Sequence, residues 1–289
     1  MTGINPQAAL VGEHFFDYTH DLPGDGWQAA MNYAGFSRPV WGWLADPHSG
    51  LDFISVPLPR RRIPGRNIAD TMRDFAARVP WQVASVQLNN LGSHDTPRLL
   101  NSVGTRENVE LAAALLFTYP GVPMLFAGDE IGARGTNGEH ARVTMPWDLA
   151  GLDGAGAAGS GSGTGTTGDS TGAGGGSRWD GQTLQVFRTL SRLRGSRQAL
   201  RDGGIRWAVI DDDALVYLRQ SRDETLLVVV ARDSWGGVTL PSWVIPNGDA
   251  TGPELLYGGS LIATPELSVT PGGIHISGDG PAVGIWRIA

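Results

Sequence analysis

The chain has no cysteine and no lysine among its 289 residues. Without cysteine there is no disulfide framework and no thiolate metal site. The 22 basic residues are all arginine and face 29 acidic ones, leaving a net charge of −7. With no basic patch to neutralise phosphates, nucleic acid is excluded as a partner. Long apolar runs are also lacking. None approaches the roughly 20 residues of a membrane-spanning helix, so no membrane partner is expected. The opening MTGINPQAALVGEH lacks the charged region and apolar core of a signal peptide. Charged residues make up only 18% of the chain. Together these absences fit a cytoplasmic protein acting on a neutral, polyol-like substrate that needs no charge steering.

Apolar residues make up 41%, enough for a packed core, and there are 42 glycines. Residues 151–177 are almost entirely Gly, Ser, Thr and Ala. Such a stretch cannot bury enough apolar area to offset its ordering entropy, so disorder is expected there. A long loop is thermodynamically tolerable because closure cost grows slowly with length.

Hydrophobic periodicity predicts helices over 67–79 (Ile68, Met72, Phe75, Val79), 106–119 and 182–194. Short apolar runs at 8–11, 27–33, 82–91 and 122–127 read as strands. Two of them end in polar clusters: Ser93-His94-Asp95 and Gly128-Asp129-Glu130. Buried parallel strands look like this, and in parallel α/β barrels the chemistry gathers where strands end. From Gly204 the pattern changes to short β-rich runs at 214–219, 226–231, 243–245, 274–276 and 283–288, separated by Asp, Gly and Pro. That spacing suggests an antiparallel sandwich.

Four segments carry a family resemblance. They are Ala9-Leu10-Val11-Gly12-Glu13-His14, the Gly24-Asp25-Gly26-Trp27 and Met31-Asn32-Tyr33 region, Ser93-His94-Asp95-Thr96-Pro97-Arg98, and Gly121 to Gly132 followed by Met145-Pro146-Trp147-Asp148. In order and spacing they resemble the α-amylase superfamily, glycoside hydrolase family 13, in its neopullulanase and cyclomaltodextrinase branch. The resemblance implies an α/β fold: the C-terminal half of a TIM (β/α)8 barrel (strands five to eight) over residues 1–203, then an all-β sandwich over 204–289. It implies a retaining glycosidase acting on α-glucosidic bonds of maltodextrins and starch-type glucans, with an oligo- or polysaccharide as partner.

Retaining hydrolysis requires two nearby carboxylates, a nucleophile and an acid/base that holds its proton near neutral pH. By resemblance Glu13 is the acid/base. Asp95 stabilises the oxocarbenium-like transition state and holds sugar hydroxyls. His94 hydrogen-bonds at the same subsite, and Arg98, His14 and Asn32 assist binding. The nucleophile is an Asp in a strand motif of the form G-x-R-x-D, placed some tens of residues before Glu13, where this chain has no such motif. The expectation is therefore a fragment that is inactive alone. No cofactor is implied. Calcium occurs in parts of the family, but no ligand spacing here supports it. Relatives often dimerise through an N-terminal domain, so a homodimer of a longer chain is compatible with the resemblance.

Other readings stay open at this point. A transglycosylase would use the same residues, and a non-catalytic glycan-binding or scaffold protein would explain the missing nucleophile. Individually, Glu13 can be an ordinary strand-end carboxylate, and Asp95-Thr96-Pro97 can be a helix cap with Pro at the first helical position. His94 can be a structural histidine, and Asp129-Glu130 can cap a strand. Trp27, Trp41 and Trp43 can stack on sugars or fill the core.

Overall fold

The computed structural model describes residues 3–5, 8–23, 26–45, 51–53, 56–58, 62–150, 179–244 and 252–289. The glycine-rich insert at 151–177 lies outside the described residues.

The first part alternates short strands and helices. It runs β1 (Val11–Gly12), β2 (Ala29–Ala30), a π-helical turn (Tyr33–Ser37) into α1 (Arg38–Leu44), and the hairpin β3 (Leu51–Phe53) and β4 (Val56–Leu58). Next come α2 (Gly65–Ala77), α3 (Trp81–Ala84), β5 (Leu88–Asn90), α4 (Leu99–Val103), α5 (Arg106–Thr118), β6 (Val122–Met124), α6 (Gly138–Ala141), α7 (Gly181–Ser196) and α8 (Gln198–Arg201). β1 pairs with β2 and β5 with β6, both parallel, and a parallel bridge from Met31 to Leu88 joins the pairs. The order is therefore β1-β2-β5-β6, so all four strands end on the same side. Among the described residues, the outer edges of β1 and β6 carry no further strand.

α5 is the central helix. The Thr105 side chain accepts from Asn108 N at 3.2 Å to start it, and Pro120 with Gly121 (φ +128°) follows its end. Nearly every residue from Asn108 to Thr118 is buried. A helix apolar all round needs cover on every side. α1, α4 and α7 supply part of it, and the sheet described next supplies the rest.

After α8 the chain is β: β7 (Gly204–Ile210), β8 (Ala214–Gln220), β9 (Thr225–Ala231), β10 (Val238–Pro241), β11 (Glu254–Gly258), β12 (Leu267–Thr270), β13 (Gly273–Ile276) and β14 (Ala282–Arg287). Five strands form an antiparallel sheet in the order β11-β14-β9-β8-β7, and three form a second in the order β10-β13-β12. Alternation along the strands divides their side chains between two cores. Leu215, Tyr217, Val228, Val230, Val283 and Ile285 join the helical core, whereas Val216, Leu218, Leu227, Val229 and Trp286 pack with Leu240, Ile274 and Ile276 of the smaller sheet. Both faces of the larger sheet are thus covered, which is why β8 and β9 are buried along almost their whole length.

Three buried polar groups tie the helical part to the sheet. The Glu110 carboxylate of α5 accepts from Ser260 N and Leu261 N, each at 2.7 Å, and from the Tyr257 hydroxyl. Arg219 donates to the carbonyls of Thr118 and Gly203. Thr118 Oγ1 and Tyr217 Oη lie 2.5 Å apart. At the other end Gly65 is required: a Cβ there would sit 2.1 Å from Asp211 O in the β7–β8 turn.

Several sequence expectations are corrected. The strand expected over 82–91 is reduced to Leu88–Asn90. Pro80 starts a helical turn instead, its carbonyl accepting from Val83 N and Ala84 N at 2.9 Å each. The strand at 122–127 ends at Met124, and the one at 27–33 ends where the Asn32 side chain accepts from Gly35 N and turns the chain into the π-helix. Ser242–Val244 is a 3-10 turn following Pro241, not a strand. Trp41 and Trp43 are core residues whose indole nitrogens donate to Leu91 O (2.9 Å) and Asp212 O (3.0 Å), so neither stacks on a ligand. No described helix is long and apolar enough to cross a membrane.

Candidate functional site

Because β1, β2, β5 and β6 run parallel, the residues following each strand meet at one end of the arc. β1 delivers Glu13, and β5 delivers Ser93-His94-Asp95. One ligand-type atom from each of Glu13, His94 and Asp95 lies within 4.8 Å of the others. His94 Nε2 is 3.5 Å from Asp95 Oδ2. The structure thus brings together the three residues to which the resemblance assigned the central roles.

The Ser93–Thr96 turn sets the position of Asp95. Ser93 Oγ accepts from Asp95 N at 3.1 Å, and Ser93 N donates to Thr96 Oγ1 at 2.9 Å. α4 begins only at Leu99 with Arg98 at its cap position, so Asp95 is not a helix cap. Its Oδ1 instead accepts from Arg142 Nη2 at 3.0 Å, while Arg142 Nε donates to His94 O at 2.9 Å. Arg142 therefore grips the backbone and the carboxylate of the same dipeptide. The buried Tyr33 phenol completes the floor. Burial pushes its pKa up to about 12; the Ser93 side chain partly offsets this as a hydrogen-bond partner, and the negative charges of Glu13 and Asp95 add to it. It remains protonated within electrostatic reach of both carboxylates. Sequence reasoning missed Arg142 and gave Tyr33 no role beyond its place in the Met31-Asn32-Tyr33 segment. Neither stands out by spacing, since the loop before Trp147 and the strand end after Met31 become neighbours of Asp95 only through the fold.

Three predicted binding residues have other surroundings. Arg98 is only 2% exposed. Its guanidinium donates to Ala127 O (2.7 Å) and to Ala141 O (2.7 and 3.0 Å), with Asp129 Oδ1 at 3.4 Å and the Phe126 ring 3.9 Å away. It pins the end of β6 to α6, and so supports the loop that carries Arg142. Asn32 is only 6% exposed. Its side chain accepts from the Tyr18 hydroxyl and Gly35 N and donates to Asn89 Oδ1 at 2.8 Å, binding strands together from within. His14 is half-buried, its Nδ1 accepting from Phe16 N at 3.1 Å.

Asp129 and Glu130 also turn inward. Glu130 accepts from Gly128 N at 2.7 Å. Asp129 is buried, its Oδ2 has no hydrogen-bond partner, and a Cβ at Gly92 would lie 2.2 Å from that oxygen. Burial pushes its pKa up to about 7 despite the nearby Arg98 charge.

A string of the form G-x-R-x-D does occur at Gly176–Asp180, but Asp180 is no strand-end nucleophile. It caps α7 by accepting from Gln182 N and Thr183 N at 3.1 Å each, and it pairs with Arg106 at 2.8 Å. Calcium takes six to eight oxygen ligands. Two carboxylates and an imidazole, the one cluster of potential metal ligands among the described residues, do not fit it.

Parallel strands gather carboxylates at their ends and packed antiparallel sheets follow, and comparisons with known proteins show what this arrangement is similar to. Residues 66–203 match the alpha-amylase catalytic domain. The chain is 28% identical over 235 residues to a cyclomaltodextrinase from a Bacillus species, a match covering 80% of this chain and 35% of that one. It is 33% identical over 149 residues to neopullulanase 2 from Thermoactinomyces vulgaris, covering 51% of this chain and 23% of the relative. Its fold matches the debranching enzyme of Nostoc punctiforme with a TM-score of 0.75 at 22% identity, over 99% of this chain and 53% of that structure. The resemblance to the α-amylase superfamily, in its cyclomaltodextrinase and neopullulanase branch, therefore holds. The chain spans about a third of the Bacillus relative's length and about half of the solved structure's.

Proposed function

We propose that the chain serves retaining hydrolysis of α-glucosidic bonds in maltodextrins and starch-type glucans. Glu13 is the general acid/base, Asp95 holds sugar hydroxyls and stabilises the oxocarbenium-like transition state, and His94 hydrogen-bonds at the same subsite. The observation that carries this reading is the convergence of Glu13 with His94 and Asp95, from separate strands, within 4.8 Å. Arg142 and Tyr33 act as positioning residues. The first holds Asp95 in place, and the second meets the Ser93 side chain that anchors the Asp95 turn.

On this reading the 289 residues hold only part of the machinery. The four parallel strands are half of a (β/α)8 barrel, residues 1–203, and the sandwich occupies 204–289. Edges of β1 and β6 that pair with no further strand among the described residues, exposed Val11, Trp27, Val122 and Leu125 beside them, and the much greater length of the relatives support it. The nucleophile is then supplied from outside these residues. The test is maltotriose turnover by the isolated chain. No release of sugar is expected. Robust turnover that Glu13→Gln abolishes would show that the chain carries its own nucleophile and would overturn the half-barrel reading.

A further inference from the structure

The convergent Glu13, His94 and Asp95 have a second chemistry. His94 Nε2 and Asp95 Oδ2 stand 3.5 Å apart. Two ligands of a tetrahedral zinc ion, each about 2.1 Å from the metal, are separated by about 3.4 Å. Arg142 occupies only Oδ1 of Asp95, so Oδ2 faces His94 free of that ion pair. One carboxylate oxygen of Glu13 lies within 4.8 Å of one ligand-type atom on each of His94 and Asp95. Glu13 is exposed, so its side chain can close that gap without disturbing the core.

The charges agree with the geometry. Two carboxyl groups stand by the imidazole and only one of them is paired with an arginine, Asp95 with Arg142, which favours a cation. One nitrogen and two oxygen donors with an open fourth position suit zinc and its neighbours among the late first-row metals. They do not suit calcium or magnesium, which require more oxygen ligands or near-octahedral oxygen geometry.

We propose that Glu13, His94 and Asp95 form a binding site for Zn2+, with Glu13 and Asp95 each giving one carboxylate oxygen, His94 giving Nε2 and water completing the shell. Binding rests on the geometry alone. Its consequence, inhibition of glucan hydrolysis because the ion takes the acid/base and the sugar-holding carboxylate out of use, rests on the function proposed above.

The test is calorimetric titration of ZnCl2 into the 289-residue chain, with MgCl2 and CaCl2 as parallel titrants. A single site is expected for zinc and no saturable heat for magnesium or calcium. His94→Ala and Glu13→Gln should each weaken zinc binding at least tenfold, with far-UV circular dichroism unchanged because both side chains are exposed. His20 gives an internal control. It stands 3.5 Å from Asp21, the same pair spacing, but among the described residues no third ligand joins them. His20→Ala should therefore leave the affinity unchanged. Absence of zinc binding to the wild type, or wild-type affinity in His94→Ala, overturns the site. Site-specific zinc binding together with maltotriose turnover that saturating zinc leaves unchanged would leave the site standing and overturn the roles given to Glu13 and Asp95 in hydrolysis instead.

Discussion

Asp129 makes a pH-dependent contribution to stability whose sign and size follow from its surroundings. Its Oδ1 has two contacts, Arg98 Nη1 and Leu99 N, both at 3.4 Å, long for hydrogen bonds. Oδ2 is buried without a partner. Arg98 spends its stronger bonds on the carbonyls of Ala127 and Ala141, so burial outweighs its charge and the pKa rises from 3.8 to about 7. Between these values the native state binds a proton that the unfolded chain releases. Stability therefore falls as pH rises through this window and levels off above about 7. At about 1.36 kcal/mol per pH unit, a span of about three units gives a change of about 4 kcal/mol. Asp129→Asn keeps the shape and cannot titrate. Urea unfolding of both proteins at intervals from pH 4.5 to 7.5 isolates the term, because all other groups cancel in the difference. The wild type should lose about 3 kcal/mol relative to Asp129→Asn across that range. A difference constant within about 1 kcal/mol would mean that Arg98 keeps the carboxylate ionised throughout, and the burial argument would fail.

The Glu110 carboxylate should be a principal tie between helix α5 and the sheet. Glu110→Ala strands three donors and should cost about 3–5 kcal/mol in urea unfolding at pH 7, against about 1–2 kcal/mol for Tyr257→Phe; a loss below about 1 kcal/mol for Glu110→Ala would contradict the assignment. Gly92→Ala should cost about 1–3 kcal/mol through the clash with Asp129 Oδ2, and most of that cost should vanish in the Asp129→Ala background; equal cost in both backgrounds would place the strain elsewhere. The open edges of β1 and β6 and the exposed apolar side chains beside them should make the isolated chain self-associate in size-exclusion chromatography. A sharp monomeric peak with cooperative melting would count against the half-barrel reading.

The sequence alone determined the strongly periodic elements. Helices α5 and α7 and strands β8 and β9 lie within a residue or two of their expected limits, because their burial leaves a regular apolar pattern. Motif wording also singled out Glu13, His94 and Asp95, which the fold does bring together. The pattern failed where local chemistry or distant packing decided. Pro80 converted an apparent strand into a helical turn, and α1, β7, β11 and β12 left too weak a signature to be placed. Only the tertiary structure decided that Arg98 and Asn32 serve as internal ties, that Asp180 caps a helix despite its motif-like surroundings, and that Arg142 holds Asp95. It alone showed Glu110, an acidic residue in an otherwise apolar helix, bound to a loop 150 positions away. Periodicity records which side chains are covered. It carries no record of which distant group covers them, and a buried charge is defined by that partner.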